Sequence, residues 1–354
     1  MKKTKSVLAV IMAATMALSL AACSGSSTST TTSESATSEA VSETASTESA
    51  STEAASTEAS GDTVYQVGIS QLVEHPALDA ATQGFQDALT EKLGDSVVFD
   101  LQNAQGEATN AATIASGFVS NNVDLIMANA TPALQAAAAA TNSIPVVGTS
   151  VTDYATALNI DDWSGSTGTN ISGTSDLAPL DKQADMLVEL FPEVKQVGIL
   201  YCSAEPNSAY QATEFGKYLD EKGIAWKEYT AADSNEIQAV TTAAIAECDV
   251  LYVPTDNTMA SNIEIVKNII LPAGIPMIAG EEGICSAGVA TLSISYYDLG
   301  YQTGLMAYEI LVNGADPGTM PIEYADAPVK EYNPTVASEL GVTIPEDYVA
   351  IEGY

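Results

Sequence analysis

Val64-Tyr65-Gln66-Val67-Gly68-Ile69 recurs as Val194-Lys195-Gln196-Val197-Gly198-Ile199, at an offset of 130 residues, and this internal copy decides the fold. The register holds well past the hexapeptide: Pro76 matches Pro206, Phe85 matches Phe215, Leu89 matches Leu219, and Glu91-Lys92 matches Glu221-Lys222. Each copy reads as a short apolar strand, a loop and a helix. Further along, Asp124-Leu125-Ile126-Met127-Ala128 parallels Asp249-Val250-Leu251-Tyr252-Val253, and Ile144-Pro145-Val146-Val147 parallels Ile275-Pro276-Met277-Ile278. Short apolar strands alternate with helical stretches at 76–93, 107–120, 207–222, 236–246 and 262–271, the βα alternation of a parallel sheet covered by helices on both faces. The fold class is therefore α/β, with two doubly wound parallel-sheet lobes joined by a multi-strand hinge. Two such units place the carboxyl ends of both sheets around one crevice, where open α/β sheets bind ligands.

A late amphipathic helix, 296–313, ends at Asn313-Gly314, and strand-like sequence returns at 327–332. The chain is thus expected to cross between lobes more than once. The expected boundaries are 62–172 with 295–326 for lobe 1, and 173–294 with 327–354 for lobe 2. About 290 residues exceed what one hydrophobic core usually organises, in keeping with two lobes.

The first 61 residues belong to neither lobe. Lys2, Lys3 and Lys5 precede an apolar run over 6–22 that has the character of a signal peptide rather than a spanning helix. Leu20-Ala21-Ala22-Cys23 resembles the bacterial lipobox, which implies that 1–22 is removed and that Cys23 carries lipid. From 24 to 60 every residue except Gly25 and Val41 is Ser, Thr, Ala or Glu. Such a segment has too little apolar surface to offset its ordering entropy, so 23–61 is expected to be a disordered tether. Spaced glutamates such as Glu34, Glu43 and Glu53, with no cation between them, extend it by self-repulsion. The expected location is extracytoplasmic, anchored by lipid to the outer face of the cytoplasmic membrane.

Composition narrows the function. The net charge is −35, and all 11 cationic residues are lysine. No basic footprint for nucleic acid exists, and no guanidinium is present to clamp a carboxylate or phosphate in bidentate fashion. Cys202, Cys248 and Cys285 are odd in number and lack metal-binding spacing, so they read as small buried fillers. No metal or cofactor is expected. His75, the sole histidine, lies before a helix-starting proline with no serine or cysteine constellation around it, which argues for a loop or rim role over catalysis. A monomeric small-molecule binder, not an enzyme, is the expected class.

If the sheets are parallel, the residues just after each strand line the cleft: Ser70, Gln71, Asn103, Thr131, Thr149, Ser150, Glu205, Asn207, Asp256, Asn257 and Glu281. Superposing the copies puts Thr131 opposite Asp256 and Ser150 opposite Glu281, hydroxyls facing carboxylates, which suits a zwitterion. Thr131 reads as an N-cap with Pro132 at N1, so its hydroxyl and the free backbone N–H groups form a carboxylate site with Ser150. Asp256 or Glu281 then accepts from an ammonium group; Glu282 competes with Glu281 for that place. Tyr296 and Tyr297 stand where a strand gives way to a helix, one expected in the core and one facing ligand, with Tyr296 the candidate. A nucleoside or sugar would use Asn103, Asn207, Asp256 and Asn257 instead.

Six blocks, Ile69-Ser70-Gln71, Glu74-His75-Pro76-Ala77-Leu78-Asp79, Asn103-Ala104-Gln105-Gly106, Ala130-Thr131-Pro132-Ala133, Pro254-Thr255-Asp256-Asn257 and Tyr296-Tyr297-Asp298-Leu299-Gly300, occur in order along the chain. Together they resemble the ABC-transporter substrate-binding family that includes tryptophan-binding lipoproteins, over roughly Val64 to Tyr354. The resemblance implies a type I periplasmic-binding-protein fold with a three-stranded hinge, its crossings at 172–176, 292–295 and 327–332. It further implies an ABC permease as membrane partner and, for some members, an aromatic amino acid as ligand. A ligand-sensing subunit of a membrane signalling system would share the same fold.

Overall fold

The computed structural model describes residues 63–325 and 327–353. The signal segment, Cys23 and the tether lie outside the described residues. The chain opens with β1 (Tyr65–Gln71), α1 (Pro76–Leu93), β2 (Val97–Asn103), α2 (Ala108–Ser120), β3 (Leu125–Asn129), α3 (Thr131–Ala140), β4 (Val146–Val151), α4 (Tyr154–Leu158) and β5 (Ile171–Ser175). It then passes to α5 (Leu180–Leu190), β6 (Gln196–Cys202), α6 (Pro206–Lys222), β7 (Ala225–Ala231), α7 (Ile237–Ile245), β8 (Val250–Val253), α8 (Asn257–Ser261), α9 (Ile263–Ala273), β9 (Met277–Ala279) and β10 (Ala290–Ser293). The last part holds α10 (Tyr296–Asn313), β11 (Glu323–Tyr324), β12 (Val329–Tyr332), α11 (Pro334–Leu340) and β13 (Val349–Ala350). No helix among the described residues is long and apolar enough to cross a membrane.

Two sheets result. The first has strand order β11-β5-β4-β3-β1-β2 and the second β13-β12-β10-β9-β8-β6-β7. All their pairings are parallel except β10 with β12. The duplicated sequence supplies matching parts: β1 lies between β2 and β3 as β6 lies between β7 and β8. A carboxylate at the same place ties each copy, Asp124 accepting from the Gln66 N–H at 2.7 Å and Asp249 from the Gln196 N–H at 3.0 Å. Phe85 and Phe215, Leu89 and Leu219 are all fully buried. Each sequence repeat is therefore a packing repeat, with its own core on both faces of the sheet.

The chain moves between sheets three times: after β5, after β10 and between β11 and β12. β5 stays in the first sheet through Ser175, which pairs with Val151, so the first passage begins at Asp176 and not at Ser172. Helix α10 returns to the first lobe and lies on α1 at backbone distance. A Cβ on Gly300 would collide with the Ala81 carbonyl, and one on Gly84 with the Tyr297 carbonyl. The three cysteines are buried and free.

Because backbone rather than a movable side chain blocks the space at Gly300, Gly300→Ala is expected to destabilise by about 1–3 kcal/mol, the usual cost of overpacking. A urea titration checks this, and an unchanged midpoint would show that the helices can separate freely.

Candidate functional site

Between the lobes lies a cavity with ≈ 270 Å³ of empty space, tight enough that only ≈ 10 Å³ is open to the centre of a water molecule. Lobe 1 contributes His75, Leu78 and Ser150; lobe 2 contributes Asn207, Thr255, Asp256, Asn257, Ala260 and Glu281. Two further residues come from the passages between lobes, Asp176 and Tyr296. The lobes bond across it: His75 Nε2 lies 3.2 Å from Asn257 Oδ1, and Gln211 Nε2 donates to Thr152 Oγ1 at 3.4 Å.

Local backbone explains the placements. β4 carries a register shift between Gly148 and Val151, and within it Ser150 has φ 54°. Ala130, directly after the neighbouring strand β3, has φ 90°. Left-handed backbone at two adjoining non-glycine strand ends is strain of the kind found where a ligand is clamped. It turns Ser150 toward the cavity and leaves its hydroxyl with no hydrogen-bond partner. His75 precedes Pro76 in extended conformation (φ −163°), makes no cap hydrogen bond to α1, and so reaches the other lobe.

Three carboxylates line the cavity, and no lysine does. Asp256 is the N-cap of α8: Oδ1 accepts from the Met259 N–H and Oδ2 from the Cys202 N–H, both at 2.7 Å. Burial and the nearby Glu205 charge hold its carboxyl well above the usual range. Glu281 accepts from the Gly283 and Ile284 N–H groups at 2.7 Å, and burial pushes it up to about 7. Glu282 is exposed, so of that pair Glu281 faces inward. Asp176 Oδ2 accepts from the Tyr296 hydroxyl at 3.0 Å, whereas Oδ1 is buried without a partner. Burial pushes Asp176 up to about 6. The Thr152 hydroxyl is near enough to favour its ionised form, without hydrogen-bond geometry to Oδ1. Burial lowers His75 below its ordinary value, which keeps the one imidazole neutral.

Of the residues expected from sequence, the structure brings Ser150, Asn207, Asp256, Asn257, Glu281 and Tyr296 together. Ser70 and Thr131 are buried with unpartnered hydroxyls but are not part of the wall. Thr131 is the first residue of α3 and Ala130 holds the N-cap, a correction to the expected capping role: the threonine is already helical and its hydroxyl makes no cap hydrogen bond. Gln71 is wired within lobe 1, its amide donating to Asp79 and Val73 and its carbonyl accepting from Thr82. With Asn103 it borders a separate surface groove. Thr149 bonds Thr174 in the core. Glu205 gathers Asn207, Asn257 and Thr258 around its carboxylate and orients them. Tyr297 is exposed, bonded to Asp87.

Asp176 and His75 were missed as wall residues. Asp176 stood inside an expected crossing, and a crossing between two faced lobes is the available signal. His75 directly precedes a strand-following helix, as Asp256 does.

Comparison with known proteins adds the following. The model of the family described as ABC transporter substrate binding protein matches residues 66–352. A tyrosine-binding protein of Clostridioides difficile (strain R20291) is 40% identical over 264 residues, 73% of this chain and 76% of that protein. A structure described as the ABC domain in complex with L-Trp from Streptococcus pneumonia is 34% identical, with TM-score 0.77, covering 80% of this chain and 97% of that one. The ligand-free, open structure of a substrate binding protein with adhesive properties from Clostridium difficile is 38% identical, with TM-score 0.63, covering 82% of this chain and 100% of that one.

The buried Asp176 carboxyl gives a pH test of this geometry. Its folded value, about 6, lies above the ordinary 3.8, so the folded state holds its proton more tightly. Stability from this group is full below about pH 4 and is lost as pH rises through about 6. Asp176→Asn removes that loss. The variant is expected to gain up to roughly 2–3 kcal/mol over wild type at pH 7.5, and little at pH 4, in ligand-free unfolding titrations. An equal difference at both pH values would contradict the buried, ionisable placement.

Proposed function

This chain belongs to the ABC transporter substrate binding protein family, and from that premise we propose that it is an extracytoplasmic lipoprotein that captures an amino acid with an aromatic or other large apolar side chain for an importer. The carrying observation is the interlobe cavity, where Asp176, Asp256 and Glu281 share a wall with Leu78, Ala260 and the Tyr296 ring, and no lysine neutralises them. Buried carboxylates of this kind call for a cation, because an unpaired buried charge costs several kcal/mol. A ligand that brings an ammonium group and an apolar body meets both halves of the wall. The unpartnered Ser150 hydroxyl offers a donor for a carboxylate.

The relatives support the same class of ligand, since one is a tyrosine-binding protein and another is a complex with L-Trp. Similarity is higher to the L-Trp complex than to the ligand-free, open structure, although the latter is closer in sequence. This supports a hinge whose angle sets the arrangement of the lobes, with capture by closure. Ligand pockets usually start at about 300 Å³, against the ≈ 10 Å³ open to a water centre here, so an amino acid fits this cavity only when the lobes part. His75 has Asn257 as its hydrogen-bond partner and Glu205 and Asp79 as charged neighbours, which supports a binding-wall role for it. Lipid on Cys23 and the 23–61 tether would hold the globule near its permease.

Calorimetry with L-tyrosine and L-tryptophan is expected to show saturable binding, with a raised Tm that follows ligand concentration; uptake of a nucleoside or sugar with no amino acid bound would overturn the assignment. Cys23→Ala is expected to release the protein into the medium. Retention of that variant on membranes after a salt wash would remove the lipid anchor from the proposal.

A further inference from the structure

The cavity presents three carboxylates, but their oxygens are not equally available. Both oxygens of Asp256 already accept a backbone N–H of lobe 2, and so do both oxygens of Glu281. These four bonds shape the start of α8 and the turn after β9, and each gives its oxygen one donor from its own lobe. Asp176 differs. It is 4% exposed, its Oδ2 is fixed by the Tyr296 hydroxyl, and its Oδ1 is buried with no partner. A buried carboxylate oxygen without a partner is rare, since leaving it so costs more than a neutral group would. A metal ion is a poor candidate for that partner: no group of three or more His, Cys, Asp or Glu among the described residues converges to hold one.

We infer that Asp176, and not Asp256, receives the ligand's ammonium group, so that the site selects a protonated primary amine through a carboxylate carried on the passage between lobes. The inference rests on the amino-acid reading above. Tyr296 is a positioning residue here: it holds Oδ2 from the second passage and leaves Oδ1 to the ligand. Asp256 and Glu281 supply negative potential and shape the wall, while their oxygens stay on the backbone.

The test compares L-tyrosine with its deaminated analogue 3-(4-hydroxyphenyl)propionate in calorimetry on the full globule. Wild type is expected to prefer L-tyrosine by roughly 30-fold or more, the lower end for truncating one partner of a buried charge pair. Asp176→Asn, and Asp176→Ser as a second variant should the first fold poorly, are expected to bring that preference to within a few-fold of unity. Asp256→Asn is expected to weaken both compounds alike, because it loosens α8, and to keep the preference. Tyr296→Phe keeps the carboxylate, and is expected to weaken L-tyrosine only modestly with the preference retained. If the Asp176 variants keep the preference and Asp256→Asn loses it, the inference is overturned while the amino-acid reading stands. If wild type binds neither L-tyrosine nor L-tryptophan, or binds the deaminated compound as tightly, both fall together.

Discussion

Three carboxylates buried in one cavity with no cation beside them constrain everything else in this molecule. Taking an ion out of water costs several kcal/mol, and like charges at close range add to that. The protein spreads this cost in two ways. Asp256 and Glu281 are each held by two backbone N–H groups, so the charge is stabilised by the lobe that carries it. Asp176 has one hydroxyl on Oδ2 and a bare Oδ1, and burial raises the proton affinity of all three carboxylates. Protonation relieves part of this cost, and on the proposed reading a cationic ligand relieves the rest.

That arrangement depends on the duplication. A single doubly wound lobe ends in a row of strand termini and helix starts, which water would cover. Two copies facing each other cover one another, and the residues after β1, β6, β8 and β9 meet across the gap with the end of β4. The equivalence is chemical as well as topological. Asp124 and Asp249 tie the strand starts in the same way, while Ser150 and Glu281, equivalent in the repeat, both line the cavity. Divergence at the second pair is what makes one lobe a donor surface and the other an acceptor surface.

The fold was legible in the sequence because strand and helix periods repeat over dozens of residues and the repeat doubles the signal. α1 and α10 occupy 76–93 and 296–313 as the pattern of apolar residues required. The site was legible only in part, since strand-end position says that a residue is near the crevice and nothing about where its side chain points. Gln71 follows the strand-end rule and is consumed by Thr82 and Asp79. Asn103 follows it too, but β2 is an edge strand, so its end opens on another groove. Thr149 and Ser150 are adjacent, and a bulge with positive φ sends the first to the core and the second to the cavity. Periodicity carries no trace of such a bulge. Asp176 was invisible as a wall residue for a different reason: it belongs to a passage between lobes, and passages have no period.

The location of Asp176 joins recognition to motion. It begins the first passage between lobes, and Tyr296 begins the helix that follows the second, so the hydrogen bond between them ties two of the three hinge segments. A charge placed on Asp176 therefore acts on the hinge itself and not on the face of either lobe. The remaining cross-lobe bonds, His75 to Asn257 and Gln211 to Thr152, lie on the lobe faces and form only when those faces meet. Both are neutral and at the long end of hydrogen-bond distance, so they add little of their own. The lobes also touch where α3 and α4 meet α6, and on the proposed reading a ligand between them adds to these contacts. On the proposed reading, a cation brought to Asp176 would act where two of the passages meet and so favour the closed arrangement.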